Sequence, residues 1–146
     1  MKKLLTFLLF TGLFVGVSNT AIAQEDYQAL NLAISFGNNT KIKANYEIDV
    51  ANYITVAPAV TVPLDFDYIG LGVKADYYFD GLMSLPDPWD IWAGLDTSFN
   101  IGQDDDIFDI NAHVGVEYKF NETWGILAEF GGGSASFGGF GVGIHF

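Results

Sequence analysis

Cysteine and arginine are both missing from this chain of 146 residues. Without Cys there are no disulfides, no thiolate nucleophile and no zinc centre built on sulfur. Without Arg the basic side is left to six Lys, set against 18 Asp and Glu. Nucleic-acid binding needs a basic face, and a chain of formal charge −12 offers none. Past the N-terminal segment there is also no apolar run near the roughly 20 residues that cross a bilayer as a helix. Yet 50% of the residues are hydrophobic. High apolar content without a helical span is the composition of a protein that crosses a membrane with strands.

The N-terminus carries its own signal. Met1-Lys2-Lys3 is basic, an apolar run follows from Leu4 to Val17, and small and polar residues lead to Ala21-Ile22-Ala23 before Gln24. That is the three-part layout of a secretory signal peptide, with cleavage expected after Ala23. The domain reading is therefore 1–23 signal peptide and 24–146 barrel. Removing 23 of the 146 residues leaves 123, enough for one domain. Lys2 and Lys3 go with the leader, so four Lys face 18 acidic residues and the mature charge is −14.

Eight strands are predicted, at 28–36, 40–48, 53–62, 68–79, 89–99, 107–120, 123–131 and 137–146. Each alternates with period two, as a strand with two unlike faces must. The sixth is the clearest: Phe108, Ile110, Ala112, Val114, Val116, Tyr118 and Phe120 oppose Asp109, Asn111, His113, Gly115, Glu117 and Lys119. Pro58 cannot donate to a ladder, so a local irregularity is expected in the third strand. No Lys, Asp or Glu falls on any of the eight apolar faces.

Two solvents could explain such faces. A soluble sandwich buries the apolar face, whereas a membrane barrel turns it to lipid, where a Lys at the midplane would cost about 2–4 kcal/mol. Aromatic placement separates them. Tyr46, Phe79, Trp89, Phe120, Trp124 and Phe146 sit at one set of strand ends, and Phe36, Phe99, Phe108, Phe130 and Phe140 at the other. Two aromatic rims are expected of membrane girdles, and a sandwich core has no reason for them. The fold class that follows is all-β, an eight-stranded antiparallel up-and-down transmembrane β-barrel.

Eight strands leave an interior only wide enough to be filled by side chains. Lys41, Lys43, Lys74 and Lys119 are expected to pair there with Glu47, Asp76, Asp96, Asp109, Glu117 and Glu129. Unpaired buried charge is costly, so this polar network has to be nearly complete. Inward Tyr53, Tyr78, Trp92 and Leu127 are candidates to fill the space beside inward glycines. A plugged barrel is expected rather than an open pore. With both termini in the periplasm, the outer connections are 37–39, 63–67, 100–106 and 132–136, and the inner ones are 49–52, 80–88 and 121–122. The segment 80–88 is long for an inner turn.

Candidates for chemistry are few. Asp104-Asp105-Asp106 with Asp109 could hold a divalent cation through carboxylate oxygens, but it lacks the spaced ligands and Gly turn of a calcium loop; a solvated acidic loop is expected. His113 and His145 both point inward as satisfied interior side chains. The glycines at 131–133 and 138–143 are no phosphate loop, because no helix follows them. Neither a catalytic residue nor a cofactor is expected.

The chain ends Phe140-Gly141-Val142-Gly143-Ile144-His145-Phe146, alternating up to a terminal aromatic. This ending resembles the C-terminal insertion signal of Gram-negative outer-membrane β-barrels, with Phe146 last, Ile144 two before it and Gly141 five before it. Gly139 departs from the family pattern, which has a polar residue there. The mature chain as a whole looks like a small eight-stranded outer-membrane protein of the OmpA/OmpX-like type. That resemblance implies a monomeric barrel in outer-membrane lipid, inserted by the barrel-assembly machinery, with no enzymatic activity and a structural or surface-interaction role. A narrow pore or small-solute binder is the alternative, ahead of a lipid-modifying enzyme or a soluble periplasmic carrier.

Overall fold

The computed structural model describes residues 28–37, 39–102, 107–133 and 138–146. The expected signal peptide and the Asp104-Asp105-Asp106 run lie outside those residues. Eight antiparallel strands follow in chain order: β1 (Gln28–Phe36), β2 (Lys41–Ala51), β3 (Ile54–Pro63), β4 (Ile69–Tyr78), β5 (Trp89–Ile101), β6 (Phe108–Lys119), β7 (Trp124–Gly133) and β8 (Gly138–His145). Each pairs with its chain neighbours, and β1 pairs with β8 to close the barrel. Closure leaves no open edge, so every strand has its ladder on both sides.

The alternation in sequence becomes an alternation of inside and outside. Along β6, Asp109, Asn111, His113, Gly115 and Glu117 are buried, while Phe108, Ile110, Ala112 and Val114 are exposed. Leu95 and Val114, both at mid-strand, are each 54% exposed. A water-soluble barrel would bury such residues; an outward apolar surface of this extent is suited to lipid. Rings gather at its two rims. Phe36 meets Phe140 at 5.6 Å and Phe99 meets Phe108 at 5.2 Å at one end. At the end that carries Gln28 and Phe146, here called the terminal end, Trp89 meets Tyr118 at 4.9 Å and Tyr77 meets Phe79 at 5.3 Å.

Strand limits differ from the predicted ones by at most three residues, the largest being the extension of β2 to Ala51. Pro58 interrupts the β2–β3 ladder without shifting it: the register holds from Asn45↔Ala59 to Ile48↔Val56, and slips only between Asp49 and Ala51. Two features were not foreseen. The long connection after β4 contains a one-turn helix, α1 (Asp80–Met83), closed by Ser84 in the left-handed conformation, whose N–H donates to the Asp80 carbonyl at 3.0 Å. Tyr53, an expected interior filler, instead occupies the β2–β3 turn with φ 63° and is half exposed. The tight turn that β2 and β3 need takes Tyr53 out of the strand and leaves its ring at the barrel mouth.

Candidate functional site: the barrel interior

The inward side chains form three tiers along the axis. The middle one is built on Lys74 of β4, which is 4% exposed. Its ammonium lies 2.8 Å from Asp76 Oδ2 and 3.3 Å from Glu47 Oε1, and it also contacts Glu129 Oε1. Three carboxylates from β2, β4 and β7 therefore converge on one Lys. Glu47 also accepts from Tyr78 Oη at 2.6 Å and from Asn31 Nδ2 at 3.0 Å. The Lys74 ammonium sits 5.1 Å from the Trp92 ring, within cation–π range. Tyr78, Trp92 and Leu127 form an apolar cluster beside it, with Ala33 packed on them.

Interior glycines let side chains reach across a strand. Asp76, Gly94 and His113 are successive partners on β4, β5 and β6. His113 Nε2 meets Asp76 Oδ1 at 2.7 Å above Gly94, where a Cβ would collide with that carboxylate. Trp92, Gly115 and Glu129 repeat the device one strand further on: the indole Nε1–H donates to Glu129 Oε1 at 3.3 Å, over a glycine with no room for a Cβ. A glycine inside a strand commonly marks a close approach of this kind.

The tier nearer the loops distant from the termini holds Lys43 at 3.7 Å from Asp96 Oδ2, with Asn111 donating to Asp96 Oδ1 at 2.8 Å. Asn100 donates to Asp109 Oδ2 at 2.8 Å, and the Lys41 ammonium lies 5.6 Å from the ring of buried Tyr68. The tier at the terminal end pairs Lys119 with Asp90 at 2.9 Å and His145 Nε2 with Glu117 Oε1 at 2.9 Å. The residues expected in the interior network lie in three tiers, and His113 links two of them, 2.7 Å from Asp76 and 3.4 Å from Asp96. Asp90, Asn100 and Tyr68 were not singled out for it. Asp90 alternates correctly and could have been included. Asn100 and Tyr68 lie at strand ends, where a turn and a strand read alike.

Small cavities flank the middle tier. One of about 20 Å³ lies among Lys43, Asp96, His113 and Glu129, room for about one water. Another of about 220 Å³ lies at the terminal end, floored by Thr55 and Tyr78. Among the described residues no group of three or more His, Asp or Glu is placed to hold a metal ion.

The residues of the insertion signal stand at the barrel seam. Gly141 and Ile144 pair with Ala33 and Leu30 of β1, and the Phe146 N–H donates to the Gln28 carbonyl at 3.0 Å. The Phe146 side chain is exposed outside the barrel.

No protein-family model and no curated protein matches the chain. Solved structures do. A de novo designed transmembrane β-barrel superposes with TM-score 0.62 at 12% identity, covering 86% of this chain and 100% of that one. The designed barrel TMB2.3 gives 0.62 at 14% identity, covering 85% and 97%. The N-terminal β-barrel domain of Pseudomonas aeruginosa OprF gives 0.60 at 15% identity, covering 82% and 97%. At these identities the likeness is one of fold, and the fold is the closed eight-stranded barrel of transmembrane proteins.

Proposed function

We propose that this chain is a plugged, non-enzymatic barrel of the outer membrane with a structural or surface-interaction role in the cell envelope. The observation that carries the reading is the middle tier. Lys74, its three carboxylates, Tyr78, Trp92 and Leu127 occupy the cross-section between cavities of about 20 and 220 Å³. Eight strands enclose an interior just wide enough for side chains to fill, and a cross-section occupied in this way supports a plug. The apolar outer surface with two aromatic rims supports residence in a bilayer. The N-terminal leader supports export, and the C-terminal strand supports insertion by the assembly machinery as a monomer. The likeness to the OprF barrel domain supports the outer membrane as the destination. Planar bilayer recording tests the plug. Steady zero current is expected from the purified barrel, and reproducible single-channel steps would replace this reading with a narrow pore.

A further inference from the structure

We propose that the cavity at the terminal end of the barrel, between Thr55, Tyr78, Asp80 and Asp90, binds a small organic cation carrying a primary ammonium. The inference is independent of the structural role above, since a plugged barrel can carry a binding site at its mouth.

Three observations lead to it. The first is charge. Asp49, Asp80 and Asp90 line the cavity against one cation, Lys119, which leaves a net −2 with all four ionised. Lys119 is engaged with Asp90 at 2.9 Å. Burial, and then the like charge of Asp90, push the Asp80 carboxyl above its ordinary value. An anion would find no welcome here.

The second is Thr55. The residue is 2% exposed and lines the cavity, and its hydroxyl has no hydrogen-bond partner among the described residues. Buried polar groups are nearly always satisfied, and an exception at a cavity wall is a position a ligand donor can serve. An ammonium brings three donors and no acceptor, so it can serve the Thr55 oxygen and neighbouring carboxylates together.

The third is the wall. Tyr78 lines the cavity and gives its hydroxyl to Glu47 at 2.6 Å, so that hydroxyl is already committed. Tyr53 stands at the mouth, held in its turn by a left-handed backbone, with α1 against it; a Cβ on Gly81 would collide with the Tyr53 ring. Aromatic faces beside carboxylates suit an organic cation. The same carboxylates do not converge closely enough for a metal ion. A cavity of about 220 Å³ is small for a ligand pocket and matches a short amine, or the ammonium end of a longer molecule. The long connection that builds α1 thereby supplies one side of the site.

The experiment is calorimetric titration of the folded mature barrel in detergent with n-butylammonium chloride, against sodium chloride of equal ionic strength. Saturable binding of the amine is expected, about tenfold weaker in Thr55→Val and in Asp80→Asn, as the loss of one charge-assisted hydrogen bond implies. Thr55→Val removes an unsatisfied hydroxyl at nearly constant shape and should keep the boiling-dependent gel shift of a folded barrel, so lost binding there cannot be laid to unfolding. No saturable binding by the parent, or undiminished affinity in either folded variant, overturns the proposal.

Discussion

His113 on β6 and Asp76 on β4 meet at 2.7 Å across an intervening strand, because Gly94 of β5 leaves the space between them empty. The other ring nitrogen, Nδ1, lies 3.4 Å from Asp96 Oδ2, an electrostatic approach rather than an aligned hydrogen bond. In a barrel this narrow, a glycine on the intervening strand lets charges on the strands either side of it come into direct contact.

Gly94→Val tests that relationship directly. The new side chain would collide with the Asp76 carboxylate, parting it from His113, and would also press on the Ala75 carbonyl. Separating a buried pair typically costs about 3–5 kcal/mol. Urea unfolding in detergent is expected to show a loss of that size. Gly132 on β7 is the control, since nothing lies within 4 Å of an added Cβ there, and Gly132→Ala should change stability by less than about 0.5 kcal/mol. Equal effects at the two positions would deny Gly94 its special place.

Lys74→Met offers a second test of the middle tier. The substitution keeps most of the stem but removes the one ammonium shared by Glu47, Asp76 and Glu129. Asp76 keeps His113, but Glu47 and Glu129 lose their cation, and breaking such a buried pair is expected to cost about 3–5 kcal/mol. Adding Glu129→Gln should restore part of that, because the double variant holds one fewer unpaired charge. With Glu129→Gln measured alone as well, a double variant whose loss equals the sum of the two single losses would mean that the two side chains do not interact energetically.

The three tryptophans divide between lipid and interior. Trp89 and Trp124 are on the outer rim, 42% and 47% exposed, while Trp92 is 1% exposed beneath Gly115. Single-Trp variants reconstituted into vesicles of brominated lipid should separate accordingly. Fluorescence from Trp89 or Trp124 is expected to be strongly quenched and that from Trp92 largely retained. Quenching of Trp92 with sparing of the other two would turn the barrel inside out and remove the membrane reading.

Most of this architecture was legible in the residues, for a physical reason. A strand's period is two, so Phe108 to Lys119 announces both its length and its inner face with every residue. Closure follows from the absence of any tolerable open edge in lipid. The bridging role of Gly94 and Gly115 was not legible, because it depends on which three residues fall in register across three strands. Register comes from turn lengths and the β2–β3 slip near Ala51, not from the alternation. Tyr53 was misplaced for a related reason: its odd position continued the inward face of β3 set by Thr55 and Ala57, while its backbone belonged to the turn. The helix at Asp80–Met83 is a single turn, too short for a helical period to appear.

The last residue separates stability from targeting. Phe146 holds the seam by one backbone bond to Gln28 at 3.0 Å, next to the bond from His145 N–H to the Thr123 carbonyl at 2.8 Å. Its ring is 73% exposed and supports nothing inside the barrel. Deleting it should therefore cost little in purified protein, about 1 kcal/mol for one hydrogen bond, and refolding into detergent should proceed as in the parent. In cells the expectation differs. If the assembly machinery reads the terminal aromatic, the truncated protein will be depleted from the outer membrane while remaining competent to fold in vitro. Gel mobility of unboiled and boiled samples measures folding, and immunoblots of membrane fractions measure delivery. Normal outer-membrane levels of the truncated chain would show that β8 is only a closing strand, with no signal in its final residue.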